Sequence, residues 1–98
     1  TNTILCSNDR LAIGMVSAAY ESGLKVGRDA GCNVRIAGHD DHPFARYTCP
    51  TLTTIAQDYT LIAQKSATTL LSLIESESRT GNREVTLFQG RLMMRGSA

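Results

Sequence analysis

Gly38-His39-Asp40-Asp41-His42 places the chain's two histidines around a pair of adjacent carboxylates. Such a run could ligate a metal, share acid and base work, or face a ligand with hydrogen-bonding groups. Imidazole and carboxylate are sound ligands for zinc or iron. If the segment leaves a strand extended, however, its side chains alternate. His39 and Asp41 then face one way, Asp40 and His42 the other. Each face offers one imidazole and one carboxylate, and the sequence suggests no third ligand, so no metal is expected. Carboxylates on opposite faces do not share a substrate either. No Ser/Cys–His pairing, phosphate-cradling glycine loop or nucleophile elbow accompanies them. Gly14, Gly23 and Gly27 lack dinucleotide spacing. Neither an enzyme nor a cofactor is expected.

The elements around this run decide what it can face. Thr3 to Cys6 is a short β-prone stretch closed by Ser7-Asn8-Asp9, a strand followed by a capping signal. From Asp9 the period becomes helical. Leu11, Met15, Ala18, Ala19 and Ser22 step by three or four, and Ala12, Val16 and Tyr20 widen the stripe. Gly23 is the expected stop. Val34 to Gly38 reads as a second strand, completing a strand–helix–strand unit that favours parallel pairing. "HDDHPFARYTCP" reads as a loop and Thr51 to Ile55 as a third strand. A second helix is expected from about Asp58, with Tyr59, Ile62, Ala63, Ala67, Leu70, Leu71 and Ile74 as its apolar stripe. "ESESRTGNRE" follows as a charged loop, then "VTLF" and "RLMMR" as final strands. The fold class is α/β: three layers, a mostly parallel sheet with flanking helices.

In open α/β sheets, ligands bind beyond the carboxyl ends of the strands. Ser7-Asn8-Asp9 follows the first strand and His39-Asp40 the second, so both polar clusters belong to one sheet edge. An amide that donates and accepts, beside a carboxylate that accepts, suits a sugar or another polyhydroxylated molecule. Blander roles compete at each position. Asn8 can be a helix cap, which is compatible with ligand contact. Asp40 can be a turn residue, Asp41 a loop-stabilising carboxylate, and His39 and His42 plain loop residues.

Bulk properties narrow the class further. The 98 residues allow one domain at most. A net charge of +1 gives no nucleic-acid or membrane surface, and no apolar run approaches the roughly 20 residues of a membrane span. Cys6, Cys32 and Cys49 are odd in number and lack CxxC spacing. They are expected as buried free thiols in a reducing cytosol. The chain starts at Thr1 and runs at once into a strand pattern, with no signal peptide. It is therefore expected to begin inside a larger protein.

Three stretches in register, "ILCSNDRLAIGMVSAAYESGLKVG", "IAGHDDHPFARYTCPTLTTIAQDY" and "GRLMMRGSA", resemble the C-terminal part of lactose/galactose-repressor family regulators. The resemblance runs through essentially the whole chain. It implies a periplasmic-binding-protein-like type I fold and a cytoplasmic, bacterial, ligand-responsive transcription factor. Such a regulator is a homodimer. It holds a small-molecule effector, here expected to be a sugar, between two lobes, and touches operator DNA only through an N-terminal headpiece. Asn8 and Asp40 match the family's effector-contacting asparagine and first aspartate. Tyr59 and Gln57 match residues lining the same cleft. Leu11, Met15, Ala18, Ala19 and Phe44 fall where family dimers form. Residues 1–98 would then be the C-terminal part of the effector-binding and dimerisation domain, with residues 56–80 belonging to the other lobe. Three features depart from the family pattern: His39 for an aromatic residue, "CPT" for a double proline, and a longer connection through "RDAGCN". A periplasmic sugar-binding protein of a transport system is the alternative, told apart by the sequence upstream.

Overall fold

Asn8 is where the chain turns from strand to helix. Its extended backbone and its side-chain oxygen, which accepts from the Leu11 amide at 2.9 Å, cap α1 (Asp9–Glu21). A cap of this kind is worth about 1 kcal/mol. α1 ends on Gly23, whose φ of 71° few other residues adopt freely. The Gly23 and Leu24 amides donate back to the Tyr20 and Ala19 carbonyls, which closes the helix end. In this computed structural model, residues 2–76 and 84–98 are described.

β1 (Asn2–Leu5) pairs in parallel with β2 (Val34–Ala37), Ile4 opposite Ile36. The strand–helix–strand unit expected from the hydrophobic pattern is thus formed. Ala12, Val16 and Ala19 of α1 bury with Val34 and Ile36 of β2, and Ala45 and Leu52 complete the core. Small residues on the helix let it lie close on the sheet. Each large apolar side chain fully buried here contributes about 1.5–3 kcal/mol. Parallel pairing continues from Ala37 to Thr53. β3 (Thr54–Ala56) then pairs antiparallel with β4 (Arg91–Met93). Ser97 joins these parts: fully buried, its hydroxyl donates to the Ile36 carbonyl at 2.6 Å and accepts from the Thr53 amide at 2.9 Å.

The chain divides into two compact units, Thr1–Ala56 with Arg91–Ala98, and Gln57–Gly90. The second carries α2 (Tyr59–Glu75), capped by Asp58, whose carboxylate accepts from the Leu61 amide at 2.9 Å. No residue of α2 is buried, and Leu61, Leu70, Leu71, Leu73 and Ile74 are exposed.

Several sequence expectations are corrected. "VTLF" (85–88) forms no strand, and Val85 and Leu87 are exposed. β-Branched residues become strand only where a neighbour supplies the ladder, and these have none among the described residues. "RLMMR" is a strand only over Arg91–Met93. The third strand starts at Thr54 rather than Thr51: Thr53 makes only an isolated bridge to Ala37, and the Thr51 carbonyl accepts from the Ser97 amide of the C-terminal segment. "PFAR" is a 3-10 turn rather than open loop, with His42 as its cap. Cys49 is exposed and Cys6 and Cys32 are half-buried, so none is a fully buried thiol. Part of the charged loop, residues 77–83, lies outside the described residues.

Candidate ligand site at the strand ends

β1, β2 and β3 end on a shared hollow of about 380 Å³, lined by Leu5, Cys6, Ser7, Gly38, His39 and Ile55. All lining residues belong to the first unit. Asn8 and the His39–His42 turn adjoin this lining in sequence, as expected for polar clusters at the carboxyl ends of strands.

The turn itself differs from the extended form considered above. Asp40 and Asp41 have φ of 114° and 50°. Strand alternation therefore stops at His39, and the face assignment that grouped Asp40 with His42 does not hold. Side chains rarely adopt positive φ, aspartate more readily than most, so neighbouring groups must impose the bend. The Asp40 amide donates to the Ile55 carbonyl at 2.9 Å, and the Asp41 amide to the Thr54 hydroxyl at 3.3 Å.

The two aspartates then part in chemistry. Asp41 is only 13% exposed and takes Arg95 at 2.5 Å, with Arg46 at 3.7 Å. Arg95, 12% exposed, also donates to the Leu52 carbonyl at 2.9 Å. Asp41 is thus committed to holding the turn, the loop-stabilising role weighed for it above. Asp40 is 39% exposed, with His39 Nδ1 at 3.2 Å from its Oδ1. His42 Nδ1 accepts from the Phe44 amide at 3.2 Å, and its ring lies 5.2 Å from the Phe44 ring. Burial pushes the Cys6 thiol, on the wall of the hollow, above its ordinary pKa. Among the described residues no three His, Cys, Asp or Glu side chains gather as a metal site.

Two of the anticipated contacts, Asn8 and Asp40, therefore stand within one unit. They are linked by the Asp9 amide, which donates to the His39 carbonyl at 2.9 Å. Gln57 and Tyr59 belong to the second unit, Tyr59 as the first residue of α2. Of the anticipated dimer residues, Leu11, Ala18 and Phe44 are exposed, Met15 is half-buried against the core, and Ala19 is in the core.

Sequence reasoning missed Asp9, Thr54 and Arg95. Asp9 follows a capping asparagine, where an acid on the surface is ordinary. In the structure it is 1% exposed. One signal could have found it: Gly38, at the end of β2, where an added Cβ would collide with Asp9 Oδ1.

Residues 2–98 match the periplasmic binding protein-like domain. The lactose operon repressor of Escherichia coli (strain K12) is 39% identical over 79 residues, which is 81% of this chain and 21% of that protein. The structure of a lac repressor dimer bound to operator and the anti-inducer ONPF superposes with a TM-score of 0.76. It is 36% identical over 97% of this chain and 31% of that one. A LacI family transcriptional regulator from Enterococcus faecium with bound ribose gives 0.73 at 30% identity, covering 97% of this chain and 33% of that one. The chain thus spans 21% of the length of the repressor it matches.

Proposed function

This chain belongs to the periplasmic binding protein-like domain family, and from that premise we propose that it is the effector-binding and dimerisation part of a ligand-responsive transcriptional regulator. The observation that carries the reading is the hollow at the ends of β1, β2 and β3, whose lining residues Ser7 and His39 are followed in sequence by Asn8 and Asp40. A sugar is the proposed effector. Asp40 retains enough exposure to accept from ligand hydroxyls, whereas Asp41 is occupied by Arg95. Asn8 spends its side-chain oxygen on the cap and offers its amide nitrogen to a ligand oxygen. Gln57 and Tyr59 enter as further contacts through the family resemblance alone, as does the assignment of residues 56–80 to another lobe.

Effector would act by binding one lobe arrangement better than the other, which shifts the population toward it. Operator and effector must then change each other's affinity by the same factor. With a net charge of +1 this chain attracts phosphate weakly. DNA contact is therefore assigned to a helix-turn-helix outside these 98 residues, and the protein to the cytoplasm. Leu11, Met15, Ala18 and Phe44 are proposed as dimer surface. Ala19 supports that surface from the core. No catalytic role is assigned to any residue. The relatives named above are regulators of transcription, which favours this reading over a transport binding protein. Calorimetric titration of the intact protein with ribose, glucose and galactose tests it. Saturable binding of one sugar is expected, and heats no larger than dilution for all three would remove the sugar reading.

A further inference from the structure

Asp9 makes more of the ligand site than any residue expected to touch a ligand. Its carboxylate is 1% exposed, and each of its oxygens accepts a hydrogen bond. Oδ1 accepts from the Thr54 hydroxyl at 2.6 Å, and Oδ2 from the His42 amide at 2.7 Å. Its own amide donates to the His39 carbonyl at 2.9 Å. One residue therefore holds both ends of the His39–His42 turn. Through Thr54 it also reaches the middle, because the same hydroxyl accepts from the Asp41 amide at 3.3 Å. Asp40 lies within the closed turn, and Asn8 is the residue before Asp9.

We propose that Asp9 is the positioning residue of this site: it fixes Asp40 relative to Asn8 without meeting the ligand itself. The proposal rests on the reading of the strand-end hollow as an effector site. The chemistry requires a carboxylate. Both of its oxygens face donors, so asparagine would turn an NH2 toward either the His42 N–H or the Thr54 hydroxyl. Only the second choice avoids facing two donors, and it forces the Thr54 hydroxyl to give up its own donation. The carboxylate also sits in the first turn of α1, where the helix dipole favours negative charge. Gly38 completes the arrangement, since any side chain there would displace Asp9 Oδ1 and press on Ala12 Cβ at 3.1 Å.

The test compares the intact protein with its Asp9→Asn and Thr54→Val variants. Residue-resolved amide exchange and calorimetric titration with ribose, glucose and galactose are the two readouts. In Asp9→Asn, exchange at Asp41 and His42 should rise about tenfold, the size of replacing a charge-assisted hydrogen bond by a neutral one, while β1, β2 and the interior of α1 keep their rates. A sugar bound by the parent should bind about tenfold more weakly, a change of about 1.4 kcal/mol. A rise spread evenly over the chain would overturn the proposal, because Asp9 would then only hold the fold. Unchanged exchange at Asp41 and His42, or an unchanged sugar affinity despite the loosened turn, would overturn it as well. If the parent binds none of the sugars while the local exchange response appears, the sugar reading falls and the positioning role of Asp9 stands. Should Asp9→Asn fail to fold, Thr54→Val loosens Asp9 by removing its Oδ1 partner, and the response is read at His42, which Thr54 reaches only through Asp9. Faster exchange there with weaker sugar binding is expected, and an unchanged His42 rate would overturn the proposal.

Discussion

Replacing Asp41 by asparagine should cost far more stability than removing Arg46, the more exposed of the two arginines that face it. Arg95 is 12% exposed, and its guanidinium has Asp41 and the Leu52 carbonyl as partners. Asparagine keeps the shape and one acceptor but removes the charge. A fully buried cation left without its counter-ion costs about 3–5 kcal/mol. Some water still reaches both partners here, so about 2–3 kcal/mol is expected. Arg46 is 63% exposed and 3.7 Å from the same carboxylate, so Arg46→Ala should cost at most about 1 kcal/mol. Urea unfolding followed by circular dichroism measures both. Combining Asp41→Asn with Arg95→Gln should recover part of the loss, because the stranded charge is removed as well. If Asp41→Asn costs no more than Arg46→Ala, the division of labour between the aspartates is wrong.

Gly38→Ala should destabilise by about 1–3 kcal/mol through overpacking against Asp9 and Ala12. Gly14→Ala, in α1 with nothing within 4 Å of the added Cβ, should stabilise by up to about 1 kcal/mol. Thermal unfolding that moves both variants the same way would contradict this. Phe44→Lys should yield folded monomers of the intact protein by sedimentation, since Phe44 is 65% exposed and leaves the core unaltered; unchanged dimers would exclude it from the interface. At about pH 8, iodoacetamide should label exposed Cys49 before Cys6, because a raised pKa leaves Cys6 with less thiolate. Equal rates would contradict the burial of Cys6.

The parts legible in the sequence were those with local causes. Ala12, Val16 and Ala19 repeat at helical spacing, Val34 and Ile36 at strand spacing, and Asn8 caps whatever helix follows it. The parallel β1–β2 pair followed from that order. The placing of Asn8 and Asp40 at one strand-end edge was legible for the same reason, since it needs only strand direction. The conformation of the His39–His42 turn was not. Positive φ at Asp40 and Asp41 accompanies partners 33 and 54 residues along the chain, Asp9 to His42 and Asp41 to Arg95. No window of neighbouring residues contains them. "VTLF" failed for the complementary reason: its composition suits a strand, but pairing is a property of the neighbour.

Titrating Asp40→Asn and Asp41→Asn in the intact protein, side by side with the parent and one bound sugar, tests the central claim most directly. Asp40 is proposed to meet the effector, so its variant should bind roughly ten- to a hundredfold more weakly, one charge-assisted hydrogen bond of about 1.5–3 kcal/mol. Its unfolding midpoint should stay near that of the parent. Asp41→Asn should show the reverse, a large loss of stability with a smaller loss of affinity at temperatures where it remains folded. Equal losses of affinity in the two variants, or full affinity in Asp40→Asn, would contradict the account.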